Sequence, residues 1–166
     1  MDHPPTSVYA DLVSGIDHVA IAVSDIEASI AWYAATLGYA LAERNEVSGE
    51  LTGMILAVMN SGTSTIVLIQ GTSPESQISR FIEEFGPGMH HIALAIRNLD
   101  EALERIGRAG GYADTPVVSN NGIRQIFLER DTTSGIRIEL IERNGGSFSR
   151  HNIEQLFRAL EEKELY

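Results

Sequence analysis

Cysteine is absent from the 166 residues, which excludes disulfides and thiolate metal ligation. Any metal must therefore be held by His, Asp, Glu, amide or backbone groups. Basic residues are scarce, 12 against 23 acidic ones, and the formal charge is -11. Nucleic-acid backbones and anionic membranes repel such a surface, so neither is expected as a partner. An anionic substrate is still admissible if local donors or a metal hold it. Long apolar runs are missing too: none approaches the roughly 20 residues needed to cross a bilayer. Met1 to Ser7 is polar and carries prolines, without the basic-then-apolar pattern of a signal peptide, so the cytoplasm is the expected compartment. At 43% apolar residues the chain has the composition of one globular domain with a proper core.

The informative feature is an internal repeat. GIDHVAIAVSDIEASIAWYAATLGYA begins at Gly15 and GMHHIALAIRNLDEALERIGRAGGYA at Gly88, an offset of 73 that also relates His18 to His91, Ile26 to Leu99 and Gly38 to Gly111. Each copy opens on a strand, as in Asp17–Val23. His18, Ala20 and Ala22 share one face; Val19, Ile21 and Val23 share the other. His91, Ala93 and Ala95 repeat the arrangement. One face is apolar and packs; the opposite face carries a histidine and small residues, leaving room for a ligand.

A helix follows each strand, Asp25–Leu37 with Ser24 as cap and Leu99–Ala109 with Asn98 as cap, and glycine ends both. Three strands complete each unit: Ala40–Glu46, Met54–Met59 and Ser64–Ile69, then Tyr112–Val118, Ile123–Glu129 and Ile136–Ile141. The pattern predicts an α+β fold of two tandem βαβββ modules, about 16–70 and 88–143, forming a curved, partly open mixed sheet. Residues 71–87 link them with a short helix, Glu75–Phe85, and an amphipathic helix closes the chain between about 149 and 164.

His18 and His91 occupy equivalent places. Glu139 lies in the last strand of the second module between Ile138 and Leu140, where an acid is costly unless a cation offsets its burial. Two imidazoles and one carboxylate form the facial set typical of non-haem Fe(II), with three coordination positions open. The adjacent His90 is expected on the opposite strand face in a structural role, and His3 and His151 in solvent.

Repeated βαβββ units with a histidine on each first strand resemble the vicinal oxygen chelate superfamily, from about Ile16 onward. That group includes glyoxalase I, methylmalonyl-CoA epimerase and 4-hydroxyphenylpyruvate dioxygenase. SPESQISRFIEEFGPGMHHIALA, from Ser73, is similar to both the epimerase and the metal-binding half of the dioxygenase. Epimerases and glyoxalases use a fourth ligand, Gln or Glu, where this chain has about Val67. The epimerase also carries a carboxylate base in the preceding strand, where Gly53 to Ala57 offer none and Glu50 is the nearest. The C-terminal third resembles the dioxygenase: Gln125-Ile126-Phe127, Ile138-Glu139, then Gly145, Gly146, Phe148, Asn152, Leu156 and Phe157. The family's dioxygenases carry a further N-terminal domain of similar architecture with no counterpart here.

The resemblance implies an Fe(II)-dependent dioxygenase-like enzyme for a small 2-oxo acid or similar bidentate oxygen ligand. His18, His91 and Glu139 would hold the metal, with Mn, Co, Ni or Zn as alternatives to iron. Gln125 would serve in catalysis; Gln70, Gln77, Phe127, Phe148 and Asn152 would contact substrate. Homodimers are common in the group. The alternatives are a metal-dependent epimerase, isomerase or lyase, and a small-molecule-binding resistance protein.

Overall fold

The computed structural model describes residues 11–146 and 150–163. The first module runs β1 (Val13–Ala22), α1 (Ile26–Leu37), β2 (Ala40–Ser48), β3 (Gly53–Ser61) and β4 (Ser64–Gly71). A linking helix, α2 (Gln77–Phe85), leads to β5 (Gly88–Ile96), α3 (Leu99–Arg108), β6 (Val118–Asn120), β7 (Ile123–Phe127) and β8 (Arg137–Arg143), and α4 (Arg150–Glu161) follows.

All eight strands form one curled sheet in the order β2-β3-β4-β1-β5-β8-β7-β6. Within each module the first strand pairs parallel with the last, β1 with β4 and β5 with β8. The modules meet where β1 runs antiparallel to β5. The sheet is therefore two copies of one four-strand pattern, back to back about the β1–β5 seam.

Both faces are covered, which is why the central strands read as near-continuous apolar runs. On the outer face α1 packs Ile26 against Ala57, Met59 and Leu68. Helix α3 places Leu99 and Ala102 against Ile126 and Leu140 in the same way. The inner face, bearing Ala20, Leu56, Val67 and Ile69, takes Ile78 and Phe81 of α2 and Ile153 of α4.

The helix starts obey the repeat. Asp25 accepts from the Ala28 amide and Asn98 from the Glu101 amide. The first cap is thus Asp25 rather than Ser24, because the chain is still extended at Asp25 (φ -141°, ψ 104°). The turn at Asn121-Gly122 has positive φ at both residues, 49° and 74°, the geometry of a tight hairpin between β6 and β7. The expected strand Tyr112–Val118 shrinks to Val118–Asn120 plus one bridge, Ala113 to Leu128. Pro116 has no N–H for a ladder, and the Phe127 amide is instead taken by the Thr115 hydroxyl at 3.0 Å.

Candidate metal centre

Strand register assembles the site. His18 on β1 lies opposite Ala93 on β5, which lies opposite Glu139 on β8. Running the other way, His91 lies opposite Ala20, which lies opposite Val67 on β4. These two rows are counterparts, and the fully buried alanines in their middles leave space for the imidazoles to converge. Val67 therefore stands at the register position that Glu139 holds in the other module.

Glu139 Oε2 is 3.5 Å from His18 Nε2 and 3.3 Å from His91 Nε2. Two donors each about 2.1 Å from one ion lie roughly 3.0–3.4 Å apart at octahedral or tetrahedral angles. All three residues are buried, at 3%, 8% and 2% exposure, and one ligand atom from each lies within 4.8 Å of the others. Glu139 Oε1 is buried with no hydrogen-bond partner among the described residues. A carboxylate so placed needs a proton or a cation. The set of two imidazole nitrogens and a carboxylate oxygen fits a divalent transition metal.

The electrostatics agree. Burial pushes the Glu139 carboxyl up to about 7, with Asp17 adding to the rise and His18 and Arg143 opposing it. Burial, aided by Arg137, pulls His91 down to about 3, so its ring is neutral and free to ligate near pH 7. His18 Nδ1 lies 2.9 Å from Asp17 Oδ1. Arg143 grips Asp17 with two bonds of 2.6 and 2.9 Å. Burial alone would raise the Asp17 carboxyl, but Arg143 and His18 outweigh it and hold it well below the usual carboxylate range. An ionised Asp17 keeps the His18 proton on Nδ1 and turns the Nε2 lone pair toward Glu139.

Around this centre is a cavity of about 80 Å³. Its walls are mainly apolar and include Leu56 and Ile69, with Ile153, Leu156, Phe157 and Leu160 of α4 across the inner face. Gln77 and Gln125 line it as well. Gln77 Nε2 donates to the Phe157 carbonyl and Gln125 Nε2 to the Asn152 carbonyl, at 3.2 and 3.3 Å. Each amide is thereby fixed by α4, and each Oε1 is left buried without a partner among the described residues. Phe127 lines the cavity too and meets the His91 ring edge-on at 5.0 Å between centroids.

Two other expected contacts lie elsewhere. Gln70 is on the outer face of β4, where its Oε1 accepts from the Ile26 amide at the start of α1. Strand alternation sends it there, because Ile69 faces the cavity. Asn152 is fully buried and donates to the Asn120 carbonyl, tying α4 to the β6 hairpin rather than lining the cavity. Phe148 lies outside the described residues, as does His3, while His151 is exposed.

His90 corrects the alternation argument. It lines the cavity, and its Nδ1 is 2.8 Å from His91 Nδ1. The reason is a β-bulge, which no rule of strict alternation anticipates. Asp17 and Arg143 were also not singled out from sequence; the only signal was that a polar residue precedes each histidine in the repeat.

The sequence profile of the glyoxalase/bleomycin resistance protein/dioxygenase superfamily matches residues 17–127. Ethylmalonyl-CoA/methylmalonyl-CoA epimerase from Cereibacter sphaeroides is 29% identical over 134 residues, 78% of this chain and 98% of that protein. The crystal structure of methylmalonyl-CoA epimerase from Mycobacterium tuberculosis superposes with a TM-score of 0.69 at 28% identity, covering 85% of this chain and 93% of the epimerase. A variant of 4-hydroxymandelate synthase from Streptomyces coelicolor superposes with a TM-score of 0.81 at 20% identity, a likeness of fold. It covers 90% of this chain, which spans 54% of the synthase. No helix among the described residues is long and apolar enough to cross a membrane. With most of its length inside the matched profile and the doubled βαβββ sheet in place, the chain belongs to the glyoxalase/bleomycin resistance/dioxygenase superfamily.

Proposed function

We propose that this chain is a non-haem Fe(II)-dependent oxygenase acting on a small 2-oxo acid or similar bidentate oxygen ligand. The observation that carries the reading is the asymmetry of the ligand rows. Val67 stands where a fourth ligand would be, so among the described residues the His and carboxylate groups that converge are His18, His91 and Glu139, a set that leaves coordination positions open. When bound, the iron supplies Lewis acidity and access to oxygen chemistry.

The chain's own residues do the rest. Two neutral imidazoles and one carboxylate leave a divalent ion net positive, which selects an anionic chelator. Asp17, clamped by Arg143, fixes the His18 tautomer. Gln77 and Gln125 offer acceptor oxygens that orient donor groups on the ligand, and Phe127 forms an apolar wall. Helix α4 lays Ile153, Leu156, Phe157 and Leu160 along the wall of the chamber. A water needs roughly 10–15 Å³ of such space. A cavity of about 80 Å³ therefore suits a compact acid.

A second reading is a metal-dependent epimerase, and the identity to epimerases over nearly their whole length favours it. That chemistry removes a proton beside a thioester carbonyl and needs a base. Glu139 is the one carboxylate lining the cavity among the described residues, and it is also a ligand candidate.

The test is oxygen consumption after anaerobic reconstitution with Fe(II), across a panel of aryl and alkyl 2-oxo acids. Uptake requiring both iron and one acid supports the oxygenase. Metal bound at one equivalent without uptake, but with solvent deuterium entering methylmalonyl-CoA, replaces it with the epimerase.

A further inference from the structure

The seam between the modules carries a paired irregularity. Ile16 lies opposite Leu94 and His18 opposite Ala93, so Asp17 is one residue too many on β1. Ala20 lies opposite His91 and Ile21 opposite Met89, so His90 is one residue too many on β5. The two extra residues are themselves 73 apart, the repeat offset, and each directly precedes a ligand histidine. A bulge bends its strand and re-aims the surplus side chain. Here both surplus side chains turn onto the Nδ1 of the next residue: Asp17 to His18 at 2.9 Å, His90 to His91 at 2.8 Å.

We propose that His90 is the positioning residue for His91, the counterpart of Asp17 for His18, and that it gives the cavity a hydrogen-bond donor. The proposal rests on the reading that His91 is a metal ligand. The proton count then leaves one arrangement. His91 ligates through the Nε2 lone pair, so its proton sits on Nδ1. His90 Nδ1 must accept that proton's hydrogen bond, which places the single proton of a neutral His90 on Nε2. That atom is buried without a partner among the described residues, on a cavity-lining residue that is 2% exposed. Gln77 and Gln125 are each anchored to α4 by an N–H and present unpartnered acceptor oxygens among the described residues. His90 Nε2–H is thus the complementary donor, suited to a carboxylate or carbonyl oxygen of the ligand. The edge-on Phe81 ring, 4.9 Å away between centroids, holds the imidazole in place.

The two ring nitrogens can be tested apart. Zn(II) affinity is measured by chelator competition for the wild type, His90→Phe and His90→Asn. His90→Phe removes the acceptor and should weaken Zn(II) binding by roughly 10–100-fold. His90→Asn places an amide oxygen near the Nδ1 position and should recover most of that loss, which a merely structural role does not predict. Independently, imidazole ¹⁵N shifts of the Zn(II)-loaded wild type should show His90 protonated on Nε2 and His91 on Nδ1. Unchanged affinity in a folded His90→Phe, or a proton on His90 Nδ1 in the loaded wild type, overturns the proposal. A folded wild type that binds no Zn(II) or Fe(II) removes the metal reading itself, and this inference with it.

Discussion

The two modules share a backbone and divide their chemistry. On the outer face they are near copies: Gln70 accepts from the first amide of α1 and Glu142 from the first amide of α3, at 2.7 and 2.6 Å. On the inner face three paired positions diverge. Val67 corresponds to Glu139, Asp17 corresponds to His90, and Gly71 stands at the sheet position of Arg143. The outer positions support helices, which both halves need. The inner ones surround a single site on the seam, where Glu139 is the one carboxylate lining the cavity among the described residues. A doubled scaffold is thus kept symmetric where it supports its helices and varied around the cavity.

The largest break in this comparison is removal of the unmatched candidate ligand, Glu139. Glu139→Ala should abolish stoichiometric Fe(II) or Zn(II) binding while the far-ultraviolet circular dichroism spectrum is kept; full metal content by elemental analysis would refute the assignment. Next in size, Asp17→Asn should weaken metal binding by roughly 10–100-fold, since it removes the charge that orients His18. An affinity equal to wild type would show that His18 needs no such partner.

Making the halves alike is the third test. Val67→Gln should cost about 1–3 kcal/mol of metal-free stability by burying an unpaired amide. Metal addition should restore more stability to this variant than to wild type, read as a larger shift in the thermal midpoint. An equal shift in both proteins would mean that the amide never reaches the ion.

The fourth prediction concerns pH. With the Glu139 carboxyl at about 7, metal must displace a proton below that pH, so the Kd should rise about tenfold per unit as pH falls from about 7. His91, at about 3, adds nothing until far lower pH. Without metal the two act oppositely on stability. Glu139, raised from 4.5 to about 7, carries more protons folded than unfolded, so stability falls as pH rises through that window. His91, lowered from 6.5 to about 3, carries fewer, so stability falls as pH drops through its own window. In the overlap they offset each other. A Kd independent of pH between about 6 and 8 would contradict a carboxyl titrating near 7.

Much of this was legible in the residues. The offset of 73 exposes the doubled fold, and the isolated charge of Glu139 among aliphatics marks it as a residue that burial must compensate. What escaped depends on departures from ideal period. Strict alternation turns His90 away from His91; one inserted residue on β5 brings it back. Gln70 was a different kind of miss, since alternation from Ile69 already places it outside. The loss of most of β6 could also be read, from Pro116. Asp17 and Arg143 could not, because their contact spans 126 positions and nothing local requires it.

The position of α4 also has a consequence for the order of synthesis. At roughly 5–20 residues per second, about 6–24 s separate the emergence of His18 from that of Glu139, which lie 121 positions apart in the chain. The helix that roofs the chamber follows later still. Its Glu161 must then reach back to the turn before β3, where it accepts from the amides of Glu50 and Thr52 at 2.8 and 2.7 Å. A nascent chain therefore completes its candidate ligand set, His18, His91 and Glu139, before α4 can pack across the chamber.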